Sequence, residues 1–385
     1  MKNKIVLVLL FSSFFFACQP KKKEISTNPE STHFSLDSIY YAQGFVLENH
    51  SDFKLIKLLN PWKPEQILQT YVLCSKSRDI PEDLPEGILI RTPLEKTVAF
   101  SSVICGFLEE LDVLSTLVGV AESQFVDISF IKNGIEEGTI QDIGQAANPN
   151  IEKLILIEPE ALFTNPLSDS GVSSLNKSNA PVIHCFEYME TNPLGQAEWI
   201  RFYGWLFEKE ELADSLFSKT VNDYNQLKDL AKNVDYRPTV FTELKYGDFW
   251  YMPGGKSYMA NLFSDAGVDY ILKEDDNSGS IPLSFETVLD KAENADFWLF
   301  KYFSSREITY KQLKSDYSNY ALFNAFKKKQ IYVCNTMTTG NYYTELPLHP
   351  DWILRDFIHI FHPDLLPENQ LRYYKKLVES VDSSH

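Results

Sequence analysis

The residues that most often carry chemistry are poorly placed for it in this chain. There are five cysteines and seven histidines in 385 residues, and no CxxC pair occurs. His359 and His362 flank a predicted helix end, and His349 lies near Asp351; the other histidines are scattered. A zinc-like ion needs several His, Cys or carboxylate ligands that converge, so direct metal binding is disfavoured. A hydrolase needs a Ser or Cys nucleophile beside a placed His. GxSxG is absent, and His184 before Cys185 sits in an apolar, strand-like context. Pro253-Gly-Gly-Lys-Ser257 evokes a phosphate loop, but GxxxxGK[ST] requires glycine where Trp250 stands. A tight turn ahead of a helix at Ser257 is the preferred reading. The sequence points away from an enzyme.

What remains is a set of rings and cations in predicted loops. Phe125, Tyr188, Tyr246, Trp250, Tyr302 and Tyr343 follow predicted strands, as do Ser102, Lys256 and Arg306. In open α/β lobes a ligand sits beyond the carboxyl ends of the strands, so these nine are the candidate ligand contacts. Rings stack on flat ligand surfaces, and Lys256 and Arg306 could meet an anionic group. The competing expectation is that half or more of the loop rings fill the cores.

The elements that must position these residues read as α/β. Apolar residues make up 44% of the chain and charged residues 23%, a globular composition. The net charge of −17 disfavours nucleic acid as a partner. Lys2 and Lys4, the apolar run Ile5 to Phe16 and then Ala17-Cys18 have the parts of a signal peptide, and the small residue before Cys18 resembles a bacterial lipobox. Residues 1–18 are therefore expected to be a lipoprotein signal with Cys18 as the lipid attachment site, and residues 19–33 a flexible tether. The expected place is the periplasmic side of a bacterial membrane, held by lipid only, as a monomer. Cys74, Cys105, Cys185 and Cys334 read as buried free thiols.

Residues 34–193 open with a β-meander and continue with strands alternating with helical patterns. This spacing predicts a mainly parallel sheet. From Gly195 to Asn233 apolar residues recur every three or four positions without proline, which predicts one long linking helix over 194–233, about 55 Å long, with a kink at Gly204 as the alternative. Residues 234–385 return to the α/β pattern, so the architecture expected is two lobes joined by one helix.

Four stretches together resemble the periplasmic binding proteins of iron-siderophore, haem and vitamin B12 importers. They are Val98 to Gly119, Asp142 to Gly144 with Asn148 to Phe163, the helix start at Gly195-Gln-Ala-Glu-Trp-Ile200, and Pro282 to Leu289. The resemblance covers about residues 91–335. It implies a substrate-binding lipoprotein of an ABC importer that captures an iron chelate (ferric siderophore or haem), with a cobalamin-type corrinoid as the alternative. The partners implied are the permease and its ATPase, and no cofactor is implied beyond the cargo. Glu152 and Glu286 match the family's permease-docking glutamates, one on each lobe. A structural surface lipoprotein without ligand is the reading from another class.

Overall fold

The computed structural model describes residues 38–63, 65–166, 173–339 and 341–379. The signal-peptide, Cys18 and tether expectations lie outside these residues. Described residues belong to one contact unit, His33–His385.

The first sheet is the expected meander with one strand added. β1 (Phe45–Asn49), β2 (Lys54–Leu59) and β3 (Ile67–Ser75) pair antiparallel in order, and β4 (Ile88–Thr92) adds parallel to β3. The second sheet has the order β10-β9-β5-β6-β7-β8. Its strands are β5 (Thr97–Ala99), β6 (Leu117–Ala121), β7 (Gln141–Gln145), β8 (Asn148–Pro149), β9 (Ala161–Thr164) and β10 (Val182–His184). All its pairings are parallel except β7 with β8. Connecting helices are α1 (Ser102–Glu110), α2 (Ser129–Glu137) and α3 (Ile151–Ile157). Asn150 caps α3 by accepting from the Lys153 N–H at 3.0 Å, as an Asn ahead of an apolar period should.

The expected single helix over 194–233 is corrected to two. α4 (Pro193–Leu206) and α5 (Glu210–Ala231) are separated by a turn in which Glu208 takes a left-handed backbone, φ 53°. The helices pass so closely that a Cβ on Gly204 would lie 2.7 Å from that of Ala213. Every residue of α4 is buried, whereas α5 buries one face only. The continuous three-to-four spacing merged these two environments into one pattern.

Burying all of α4 buries its charges, and each finds partners. Glu198 accepts the backbone N–H groups of Tyr40, Tyr41 and Ala42 at 2.9, 2.7 and 2.9 Å. Arg201 bridges Glu198 at 3.2 Å and Asp214 at 2.6 Å. Glu190, just before α4, takes the N–H groups of Gln43 and Gly44, both at 2.8 Å, and the Trp199 indole at 3.1 Å. Charge-assisted bonds of this kind offset the desolvation of a buried carboxylate. They fasten the start of the meander to the centre of the molecule.

The remaining chain builds the second lobe. Its sheet has the order β14-β11-β16-β17-β18, from β11 (Thr239–Thr242), β14 (Asp269–Tyr270), β16 (Phe297–Tyr302), β17 (Ile331–Asn335) and β18 (Lys375–Lys376). Only β18 runs antiparallel. A small antiparallel sheet of β12 (Lys245–Tyr246), β13 (Phe249–Pro253) and β15 (Ser280–Leu283) stands beside it. The helices here are α6 (Tyr258–Asp265), α7 (Phe285–Ala292), α8 (Tyr310–Asp316), α9 (Asn324–Lys327), α10 (Tyr342–Glu345) and α11 (Pro350–Phe361). The architecture is α/β with two lobes and mainly parallel sheets, as expected. All four cysteines beyond residue 38 are buried free thiols.

Candidate functional site

The carboxyl ends of the two parallel sheets face a cavity of about 690 Å³, within the roughly 300–1,000 Å³ usual for small-molecule sites. The first-lobe wall begins at α1. Ser101 caps this helix through the Ile104 N–H, which leaves Ser102 on the cavity. Ser101 Oγ donates to Asn165 Oδ1 at 2.6 Å, and Asn165 Nδ2 donates to Glu187 Oε1 at 2.7 Å. The wall continues in the turn after β6. Glu122 adopts a left-handed backbone there (φ 54°), which swings Ser123–Phe125 into the opening.

The second-lobe wall is organised by Asn335 at the end of β17, only 2% exposed. Its Oδ1 accepts from the Ser304 and Met337 N–H groups at 3.3 and 3.2 Å, and its Nδ2 donates to the Ser304 carbonyl at 2.8 Å. One side chain thus sets both Phe303 and the Thr336–Met337 turn. Phe125 and Phe303 meet edge to face across the cavity with centroids 6.0 Å apart, and each is more than half exposed. Below them the lobes touch directly. A Cβ on Gly106 of α1 would come within 2.5 Å of the Thr344 carbonyl of α10, so this crossing requires glycine. His349 Nε2 also meets Glu110 Oε1 at 3.0 Å between the lobes.

Of the nine predicted contacts, Ser102, Phe125 and Tyr343 line this cavity. Trp250 does not. It is fully buried in the second-lobe core, with its indole N–H donating to the Thr242 carbonyl at 2.9 Å. The physical reason is strand alternation, since Trp250 and Met252 of β13 point inward while Phe249 and Tyr251 point out. Tyr188 is partly exposed and donates its hydroxyl to the Pro166 carbonyl. Tyr302 is half-buried, donates to Glu307 at 2.9 Å and has its hydroxyl pushed up to about 12 by burial. Tyr246, Lys256 and Arg306 are exposed. None of these five lines the cavity. The glycine turn before Ser257 uses its own N–H groups. Gly254 and Lys256 donate to the carbonyls of Gly279 and Asn277 at 2.9 and 3.0 Å, and Ser257 caps α6.

Phe303, Met337 and Asn165 fall in the strand-end loops expected at the cleft, though not among the nine contacts, and Phe303 and Met337 line the cavity; what residues alone did not show is that Asn165 and Asn335 support its walls. The signal for the two asparagines was their position at the ends of predicted strands, where a side-chain amide can bridge loops. Glu152 and Glu286 stand exposed in the first turns of α3 and α7. The thiol of Cys185 is held well above its usual range by burial, and burial lowers His184; neither suits nucleophilic work. A second, more polar cavity of about 490 Å³ lies at the meander and the α4–α5 turn, lined by residues from Asn49 to Glu208, and shares none of its lining with the cavity between the lobes.

Comparison with known proteins agrees with this geometry. An uncharacterized lipoprotein of Methanocaldococcus jannaschii is 26% identical over 405 aligned residues, covering 96% of this chain and 95% of the relative. A second from the same organism is 24% identical, covering 93% and 91%. Among solved structures, S. aureus IsdE complexed with heme aligns with a TM-score of 0.54 at 18% identity, over 69% of this chain and 98% of that one. TroA-like periplasmic binding protein FepB from Veillonella parvula aligns at 0.56 and 16%, over 75% and 96%. These structures share the fold. Residues 103–337 match the model of the Periplasmic binding protein family, and the chain belongs to that family of solute-binding proteins.

Proposed function

We propose that this protein is the substrate-binding component of an ABC importer and that it captures a metal chelate, an iron complex in the first instance and a corrinoid as the alternative. The observation that carries the reading is the cavity between the strand ends of both lobes, with Phe125 and Phe303 meeting across it. Ser102, Phe125, Phe303 and Tyr343 contact the ligand, and residues 34–193 and 234–385 act as the two lobes. Cys18 carries the lipid that holds the protein on the outer side of a membrane; two relatives named as lipoproteins support this. A neighbour complexed with heme supports the ligand class. Binding is tested by thermal unfolding with a panel of ferric siderophores, haem and cyanocobalamin. At about 100 times the dissociation constant a ligand should add about 2.7 kcal/mol, without turnover. A panel that shifts nothing removes the chelate reading.

Docking to the permease falls to Glu152 and Glu286. Each is exposed, and neither has an ion-pair partner among the described residues. Exposed charges on two lobes set orientation and on-rate. Glu152→Arg with Glu286→Arg should abolish uptake in cells while ligand affinity, measured by calorimetry, stays unchanged. A loss of affinity would remove the docking assignment.

A further inference from the structure

The charge around the cavity narrows the ligand, and this step rests on the chelate-binding reading above. Among the described lining residues only Asp127 and Lys132 carry charge, and they form an ion pair with each other. The rest of the wall is hydroxyl, amide and apolar. Behind the first-lobe wall two carboxylates face it and one cation stands beyond them: Ser123 Oγ donates to Asp142 at 2.9 Å, Gln124 Nε2 donates to Glu122 at 2.8 Å, and the Lys153 ammonium is held on the Asp142 carbonyl at 2.7 Å. On the second lobe the charge of Lys301 reaches Tyr343, but Lys301 is paired with Glu243. Lys256 and Arg306, the cations expected to meet an anionic ligand, lie outside the cavity. The chain as a whole carries −17.

An anion entering such a site loses water and gains no free cation, which is unfavourable, and the surrounding field opposes its approach. We propose that the cleft selects metal chelates without net charge and excludes polyanionic ones. The preferred ligand presents apolar surface to Phe125, Phe303 and Met337. It offers neutral carbonyl or amide groups to the hydroxyls of Ser102, Thr336 and Tyr343.

The test is calorimetry on the full mature chain at fixed ionic strength. The probes are an uncharged ferric trihydroxamate, uncharged cyanocobalamin, a trianionic ferric triscatecholate and haem with its two carboxylates. An uncharged complex should bind at least roughly tenfold more tightly than either anionic one. Equal or tighter binding of an anionic complex overturns the charge selection and leaves chelate binding standing. Binding by none overturns both. Two variants examine the cause. Asp127→Asn strips Lys132 of its partner and should raise triscatecholate affinity roughly threefold relative to that of the uncharged complex; no relative gain would overturn the charge argument. Arg306→Gln should leave triscatecholate affinity as it was, and a loss would place a cation at the ligand and overturn the proposal.

Discussion

Two sets of aromatic rings in this molecule obey the same contact geometry and stand in opposite surroundings. In the second-lobe core Trp250, Trp298, Phe241, Tyr320 and Phe323 pack with centroids 4.8 to 6.0 Å apart, all nearly inaccessible to solvent. Both indoles are satisfied inside, on the Thr242 and Glu243 carbonyls at 2.9 and 2.8 Å. In the cleft Phe303 meets Phe125 at a similar 6.0 Å, yet among the described residues each has one ring partner, and both line the cavity. Ring spacing alone therefore says nothing about role. What separates the sets is whether neighbours surround the ring on every side, because only the unsurrounded ring retains apolar surface that a ligand can bury.

The largest expected effect tests the core set. Trp250→Ala empties a buried indole site and orphans the Thr242 carbonyl, so it should cost about 3–5 kcal/mol in urea denaturation. Ligand affinity of the folded fraction should be unchanged. A variant that folds with near-normal stability but loses affinity would return Trp250 to the ligand and dissolve the distinction.

The next effect concerns the support behind the cleft. Glu187 is 1% exposed, and its Oε2 has no hydrogen-bond partner. Burial, with Glu190 nearby, raises its carboxyl from 4.5 to about 7. The fully bonded Glu198 of α4 shows what satisfaction looks like; Glu187 lacks it. Folded protein therefore keeps this proton between about pH 4.5 and 7, where the unfolded chain has lost it. Its stabilising contribution is complete below that window and fades as pH rises through about 7, on the order of 3 kcal/mol in total. Glu187→Gln should be more stable than the parent near about pH 8 and should flatten this component of the pH profile, read by urea titration. An identical profile in the variant would show that Glu187 is ionised in the folded state.

How much of this was legible in residues alone follows from what each feature depends on. Local patterns were readable: Asn150 and Ser257 cap the helices they precede, and β2, β9, β16 and β17 fall on the apolar runs. The break between α4 and α5 was not, because neither Gly nor Pro interrupts Phe207 to Lys209 and the turn is made by Glu208 at φ 53°. The rings divided for a similar reason. Phe125 and Trp250 both follow predicted strands. Trp250 went to the core because it lies on the inward face of β13, a register fixed by pairing with the distant β15. Asn335 was legible only as the end of a predicted strand, since its partner Ser304 lies thirty-one positions away.

Phe125→Ala tests the cleft set with a smaller effect. The ring is 53% exposed, so its loss should change stability by less than about 0.5 kcal/mol. Ligand affinity should fall roughly tenfold, about 1.4 kcal/mol, through lost ring contact. Calorimetry beside urea denaturation separates the two. If stability falls and affinity does not, Phe125 braces the lobes rather than holding a ligand.

The smallest expected effect examines rings that belong to neither set. Tyr246, Phe249 and Tyr251 lie on the outward face of the small sheet, with Tyr246 80% exposed. Phe249 and Tyr251 are 6.2 Å apart. They are exposed, as the cleft rings are, but none of them lines the cavity between the lobes, and enclosure is what converts exposed apolar surface into binding free energy. Tyr246→Ser should accordingly leave both stability, within about 0.5 kcal/mol, and ligand affinity where they were. A drop in affinity without a drop in stability would mean that the ligand extends from the cleft onto this sheet. Exposure without enclosure would then be enough to make a ring part of the site.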